Sequence, residues 1–314
     1  MKLRIPFLLS VALPLAIAAA APAVIIDSAN GAGNTSAPSP DPGFGNVGIC
    51  NGLSCVYLSD GWVLTANHVG AADATFGGVT YPWLASSGVR LHNPNSSFAD
   101  LALFRLQFPY PPLSALSIAS STATSSATHP LYLIGNGRNR GAATTWNPCG
   151  PGSFSGWSWG AGSAIRWGTN RVDVSQSFQA AFGTWVFGTV FDDSGFSVTA
   201  YEAQGAIGDS GGAVFAWTGS SYELAGIIIG VTTFVVPANP PNCPVDEPQP
   251  AETSIYGNET FAADLSVYRD GIVATMPEPA GGLWAGAALL AWLSAGTRRA
   301  CRGTGCAASS PPRA

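Results

Sequence analysis

Apolar residues are distributed in three ways along this 314-residue chain. One long apolar run opens it, another lies near its end, and short apolar segments fill the space between. Cys55-Val56-Tyr57-Leu58 precedes Ser59-Asp60-Gly61, and Trp62-Val63-Leu64-Thr65 follows. Two apolar stretches joined through Asp-Gly predict a hairpin. Leu101 to Leu106, Leu131 to Ile134, Val172 to Val174, Thr184 to Phe191, Ala213 to Trp217 and Glu223 to Thr233 continue the series as further strands. Short strands at this spacing, without a long amphipathic helix, predict an all-β barrel or sandwich.

The intervening segments read differently. Residues 24–46 are rich in Asp, Asn, Gly, Ser and Pro and predict an irregular lead into the domain. Asn136 to Thr169 is rich in Gly, Ser and Trp without clear periodicity and reads as long loops between two halves. Val236 to Pro250 holds six prolines and reads as an extended loop. Leu265, Tyr268 and Ile272 fall at i, i+3 and i+7, a helical face that Met276-Pro277 ends.

The first long apolar run starts Met1-Lys2-Leu3-Arg4, is interrupted only by Ser10 and Pro14, and closes Ala21-Pro22-Ala23. A positive start, a short apolar middle and a small-x-small end predict a secretory signal peptide over 1–23, cut after Ala23. The second, Ala280 to Gly296, carries no charge and is followed by Arg298, Arg299 and Arg302. Seventeen helical residues span about 25 Å, the short limit for one membrane crossing. The arginines would keep its end on the cytoplasmic side. With Pro277-Glu278-Pro279 just before it, segment 277–314 resembles the PEP-CTERM sorting signal of Gram-negative bacteria. That resemblance implies recognition in the membrane and removal by an exosortase. Export and then a place at the cell surface or in the extracellular matrix are the expectation, with a membrane contact only through this tail.

Separating the ends changes the meaning of the composition. The mean hydropathy of +0.23 draws on both runs. No other run nears the length of a bilayer span, so a polytopic membrane protein is excluded. The 10 Trp, 15 Phe and 8 Tyr exclude a disordered chain. Whole-chain charge is −5. Setting aside Lys2, Arg4, Arg298, Arg299, Arg302, Arg313 and Glu278 leaves seven arginines against 17 acids, a net −10 on residues 24–276. Such a domain is a poor partner for nucleic acid or an anionic membrane. Cys50, Cys55, Cys149 and Cys243 lie in the exported part, where oxidation is permitted, while Cys301 and Cys306 lie beyond the tail. Four cysteines allow three pairings, of which Cys50–Cys55 with Cys149–Cys243 is favoured. A structural zinc site is the alternative, although the spacings do not match paired C-x₂-C knuckles.

The candidate chemistry lies between the ends. Of three histidines, His92 and His129 sit beside Asn93-Pro94 and Pro130 in turns and receive no role. His68 follows a strand in Leu64-Thr65-Ala66-Asn67-His68. Asp100 enters the next clear strand in Phe98-Ala99-Asp100-Leu101, and Ser210 stands in the tight turn Gly208-Asp209-Ser210-Gly211-Gly212. Each alone is commonplace; their order and local settings together are not. A serine hydroxyl needs a base to take its proton during attack. His68 can do so near neutral pH and return the proton to the leaving group. Asp100 would accept the other ring N–H and fix the tautomer.

On these residues the chain resembles the chymotrypsin/trypsin-like serine proteases, whose order is His, Asp, Ser. The resemblance runs from about Cys55 to Thr275. It implies two six-stranded antiparallel barrels with a short C-terminal helix, here about Phe261 to Thr275. Leu133-Ile134-Gly135-Asn136-Gly137 resembles the segment opening the second barrel, and Gly226-Ile227-Ile228-Ile229-Gly230 the strand that lines the substrate backbone, which makes Ile229 a substrate-binding candidate. The N–H groups of Gly208 and Ser210 would form the oxyanion hole. Gln204 would stand at the base of the specificity pocket, and its neutral side chain argues against selection of Lys or Arg. Departures are equally specific: no cysteine follows His68, none flanks the Ser210 turn, and Val24-Ile25-Ile26-Asp27 stands where Ile-Val-Gly-Gly would. In that family a freshly cut N-terminal amine pairs with the acid at Asp209.

The expected activity is therefore secreted serine endopeptidase, acting on protein or peptide without metal or other cofactor. Export would involve signal peptidase and an exosortase as further partners. A surface or matrix binding module on a protease-like scaffold is the alternative from another class, and an esterase on the same triad is the third reading.

Overall fold

The computed structural model describes residues 24–276 apart from 29, 30, 32, 150, 151, 240 and 242. The predicted leader, Pro277-Glu278-Pro279 and the apolar run 280–296 lie outside the described residues, as do Cys301 and Cys306. Among the described residues no helix is long and apolar enough to cross a membrane. By backbone contacts the chain forms two units, 1–269 and 270–314, and of the second only 270–276 are described.

The all-β expectation holds, in a chain of two large antiparallel sheets. The first contains β2 (Val47–Cys50), β3 (Leu53–Ser59), β4 (Trp62–Thr65), β5 (Ala74–Phe76), β6 (Val79–Tyr81), β7 (Val89–His92) and β8 (Phe98–Arg105), ordered β6-β5-β2-β3-β4-β8-β7. The second contains β9 (Leu131–Gly135), β12 (Arg166–Asn170), β13 (Val174–Gln179), β14 (Thr184–Val190), β16 (Ala213–Trp217), β17 (Tyr222–Val231) and β21 (Glu259–Asp264), ordered β12-β9-β16-β17-β21-β14-β13. Each sheet thus has seven strands rather than six. Smaller pairings join β1 (Ile25–Ile26) to β15 (Ala203–Gln204), β18 (Val235–Val236) to β19 (Glu247–Pro248), and β10 (Arg138–Trp146), β11 (Phe154–Ser163) and β20 (Thr253–Ile255) into a three-stranded sheet.

Local chemistry sets the first sheet. Asp60 and Gly61 take φ of 47° and 85°, the left-handed pair of a type I′ turn, and return β3 into β4. Asn51-Gly52 does the same between β2 and β3, with φ of 50° and 76°. The resulting register faces Leu64 with Leu103, and both are fully buried. Each such side chain contributes about 1.5–3 kcal/mol by leaving water. In the second sheet Leu131, Leu133, Phe187, Val214, Ala225, Ile228 and Ala262 form one buried cluster.

Three expectations are corrected. The Gly- and Trp-rich segment 136–169 is not loop but β10, β11 and part of β12, paired to each other and to β20 and β9. Glycines there serve close strand approach: a Cβ on Gly156 would stand 2.0 Å from the Ser254 carbonyl oxygen. Val172 does not lie in a strand, since β12 ends at Asn170 and β13 begins at Val174. Helix α1 (Leu265–Thr275) starts later than Phe261, because Phe261 to Asp264 pair with β14 and β17 as strand. Its predicted apolar positions Leu265, Tyr268 and Ile272 are all buried.

The cysteines divide as well. Cys149 and Cys243 are disulfide-bonded, with Cα atoms 5.2 Å apart. Cys50 and Cys55 are both buried and free, contrary to the favoured pairing. The Asn51-Gly52 turn pairs Cys50 with Leu53 and Gly48 with Cys55, so the two cysteines are diagonal neighbours. Cys50 Sγ also lies by the Ser54 and Gly70 carbonyl oxygens at 3.9 and 3.8 Å and shares a side-chain hydrogen bond with Cys55.

Candidate active site

His68 stands three residues beyond the end of β4, and Asp100 is the third residue of β8, the neighbour of β4 in the sheet. Adjacent strands therefore deliver both groups to one end of the first sheet. Asp100 Oδ1 accepts the His68 backbone N–H at 2.9 Å, and its Oδ2 meets the ring Nδ1 at 2.7 Å. This double contact fixes the imidazole, and Asp100 is itself tied to the second sheet by its own N–H donating to Thr184 Oγ1 at 2.8 Å. The side chains are 43% and 13% exposed. The Asp100 hydrogen bond raises the His68 pKa above its ordinary 6.5, partial burial opposes it, and the charge of Asp100 adds to the rise.

Ser210 lies in the turn that follows Gly208, whose φ of 104° requires glycine. The turn packs against the first sheet through Ser54, which is fully buried on β3. Ser54 N–H donates to the Ser210 carbonyl oxygen at 2.9 Å. Ser54 Oγ donates to the Gly208 carbonyl oxygen and accepts the Asn136 N–H, each at 2.8 Å. The Ser54 carbonyl oxygen in turn accepts Thr65 Oγ1–H at 2.8 Å, three residues before His68. A Cβ on Gly211 would stand 2.0 Å from that carbonyl, so only glycine permits the approach.

Between Gly208 and Ser210, Asp209 points inward and is fully buried. It accepts N–H bonds from Gly137 at 2.7 Å, from Ala206 at 2.8 Å, and from Val24. Gly135 and Gly137 leave the space it occupies, since a Cβ on either would fall 2.2–2.3 Å from its carboxylate oxygens. Burial pushes Asp209 up to about 7, while these N–H donors and the Arg166 cation pull the other way. Arg166 is itself buried, donating to the Gly31 carbonyl oxygen at 2.6 Å, and desolvation brings it down to about 10.

The remaining predicted site residues fall as follows. Gln204 is 1% exposed on β15, and its backbone pairs with Ile25. Ile229 is the extra residue of a bulge in β17, since Ile228 faces Ala262 and Gly230 faces Phe261. Its side chain is buried, so what it can present to a ligand is backbone. His129 stacks on Trp217 with ring centroids 4.5 Å apart, and His92 packs on Phe98. Ser54, Thr65, Thr184 and Arg166 were not legible as site residues, whereas Val24 was already marked as the start that the resemblance sets against Asp209. Their roles arise from contacts between positions far apart in the chain, as between Ser54 and Gly208, 154 residues apart.

No family model and no curated protein matches the sequence. Among solved structures the chain is similar to the Rv3671c protease in its inactive form, at 16% identity over 70% of this chain and 81% of that one, with a TM-score of 0.36. It is similar to a serine-to-alanine mutant of Rv3671c from M. tuberculosis H37Rv at 12% identity, covering 72% and 81%, with a TM-score of 0.38. The passenger domain of plasmid encoded toxin, an autotransporter enterotoxin from enteroaggregative Escherichia coli, matches at 11% identity and a TM-score of 0.45, over 71% of this chain and 22% of that one. The fold itself is all-β, with two seven-stranded antiparallel sheets and one helix near the end of the described residues.

Proposed function

We propose that this chain is a serine endopeptidase using Ser210 as nucleophile, His68 as general base and acid, and Asp100 as the residue that orients His68. What supports the reading above all is the His68 Nδ1–Asp100 Oδ2 contact of 2.7 Å, at the end of a sheet whose Ser54 holds the Ser210 turn. In this reaction the Ser210 hydroxyl attacks the peptide carbonyl while His68 Nε2 takes its proton. Asp100 keeps its hold on Nδ1 and stabilises the imidazolium that forms. The oxyanion is received by the N–H groups of Gly208 and Ser210, and losing one such donor costs about 10²–10³ in rate. His68 then protonates the leaving amine, and water releases the acyl group by the same steps in reverse.

The proposal includes export through residues 1–23 and sorting through 277–314 by an exosortase, ending at the cell surface or in the matrix. A cut after Ala23 frees an α-amine at the nitrogen that now meets Asp209 as an amide, giving that buried carboxylate a cationic partner. Labelling with a fluorophosphonate tests the central claim. Folded protein that resists the label, or peptidase activity undiminished in Ser210→Ala, overturns it. Mass spectrometry of the mature ends tests the processing.

A further inference from the structure

At the end of β16 remote from the Ser210 turn, two cavities share one short segment, 122–124, as a common wall. The larger, of about 430 Å³, is bounded by residues 119–124 and by residues 216–219, where β16 turns toward β17. The smaller, of about 380 Å³, is bounded by residues 122–125 together with Val172, Ser175 and Gln176. Each has the size of a small-ligand site. The shared segment is fixed from below and from the side. Ala119 and Ala123 are buried in the core cluster of the second sheet, and Ala119 N–H donates to the Leu224 carbonyl oxygen at 2.9 Å. Gln176 Nε2 donates to Thr122 Oγ1 at 2.7 Å.

The walls carry hydroxyl groups and no charge. Ser120, Ser121, Thr122, Thr124 and Thr218 line the larger cavity, and all but Thr122 are exposed. These hydroxyls can serve a ligand in both senses. Thr218 Oγ1 donates its proton to the Ser221 carbonyl oxygen at 3.1 Å and keeps lone pairs with which to accept. Thr122 Oγ1 accepts from Gln176 and keeps its own proton to donate. The one aromatic ring in the wall is Trp217. Its indole stacks on His129 with centroids 4.5 Å apart and meets Tyr222 edge-on at 5.3 Å, which in turn meets Tyr132 at 5.0 Å. His129 is itself held by Thr128 Oγ1, 3.1 Å from Nδ1. A ring braced in this way loses little freedom when a ligand packs against it.

We infer that the two cavities form one binding site for a neutral oligosaccharide, separate from the catalytic groups. A sugar ring presents hydroxyls that both donate and accept, together with C–H groups that pack on an indole, and the larger cavity offers partners for both. Two adjoining cavities over a shared wall suit linked rings rather than a single one. Charge selects the neutral class: no acidic or basic side chain lines either cavity, and the net −10 on residues 24–276 repels polyanions. A peptide fits less well, because Val172 is the one large aliphatic side chain in these walls and no charged group there meets a terminus. Occupied, the site tethers the chain to a polysaccharide and leaves the Ser210 turn, before the other end of β16, uncovered. The inference goes beyond the endopeptidase reading and does not depend on it.

The test is isothermal titration calorimetry of the mature protein with cellohexaose, maltohexaose, isomaltohexaose and N-acetylchitohexaose. Hexagalacturonate and acetyl-hexaserine amide serve as the anionic and peptide controls. At least one neutral hexasaccharide is expected to bind saturably with a Kd below about 1 mM, and both controls at least about tenfold more weakly. Trp217→Ala, which removes the ring, should weaken that binding about tenfold. Ser121→Trp, which fills the larger cavity from an exposed position, should abolish it. Fluorophosphonate labelling of Ser210 should be the same in both variants as in the parent protein. Binding of none of the four saccharides, tighter binding of either control, or saccharide binding untouched by Ser121→Trp overturns the inference. Should Trp217→Ala fail to fold, Ser121→Trp alone decides. A parent protein that binds saccharide and resists the label overturns the endopeptidase reading and leaves this one standing.

Discussion

His68 and Asp100 occupy neighbouring strands of the first sheet, partly open to water and joined by two short contacts. Ser210 occupies a turn of the second sheet beside a fully buried carboxylate, with its backbone held by residues from both sheets. The first half is positioned mainly within one sheet, by a two-residue turn, strand register and one ion pair, with Thr184 as its tie to the second sheet. The second depends on buried groups distant in sequence, each of which leaves an orphaned partner when removed. Perturbing the first half, or the Ser210 hydroxyl itself, should therefore act on chemistry, and perturbing the buried groups that hold the Ser210 turn on chemistry and stability together.

The largest effect expected is from Ser210→Ala, about 10⁶ in turnover with an unchanged melting temperature. Asp100→Asn should follow, lowering kcat about 10⁴-fold because the amide holds the wrong imidazole tautomer. The pH profile sharpens this. Only unprotonated His68 can act as base, so activity is lost as pH falls through its pKa. Since the Asp100 hydrogen bond raises that pKa above 6.5, the acid limb of kcat/KM should lie above 6.5 in the parent protein and move down in Asp100→Asn. A melting temperature that dropped with Asp100→Asn as far as with Ser54→Ala would break the comparison.

Ser54→Ala removes the hydroxyl that serves both the Gly208 carbonyl and the Asn136 N–H. Each orphaned buried group costs about 1–3 kcal/mol, and the loosened Gly208 turn should lower kcat roughly tenfold to a hundredfold. Thermal denaturation and steady-state kinetics on one preparation measure both. The smallest effect concerns Glu202, which accepts hydrogen bonds from Thr199 and Asp192 just before Gln204. Burial pushes its carboxyl up to about 8 from an ordinary 4.5. The folded state holds that proton more tightly than the unfolded chain, so this contribution is present below about 4.5 and is lost as pH rises toward 8. Glu202→Gln should flatten the decline of the melting temperature between pH 5 and about 8.

Legibility in the sequence followed the same division. β4 and β16 have the bounds that the apolar segments predict, because each is a short buried run between turn residues. Asp60-Gly61 announces its hairpin, and Asn51-Gly52 carried an equal signal for the turn between β2 and β3. The segment 136–169 hid three strands, since its glycines and tryptophans meet partners across sheets rather than alternate for one buried face. His68, Asp100 and Ser210 were visible through local context. The clamp at Ser54 and the donors around Asp209 were not, because nothing near those residues in sequence marks the contact.

By itself the sequence determined the all-β class, the hairpins, the order of the three candidate catalytic residues and the glycines around Ser210. Those properties come from turn chemistry and short-range patterning, which act within a few residues. Tertiary structure alone decided which cysteines bond and what the buried Asp209 meets. Each of those depends on distances between residues far apart in the chain, and only packing of the two sheets sets them.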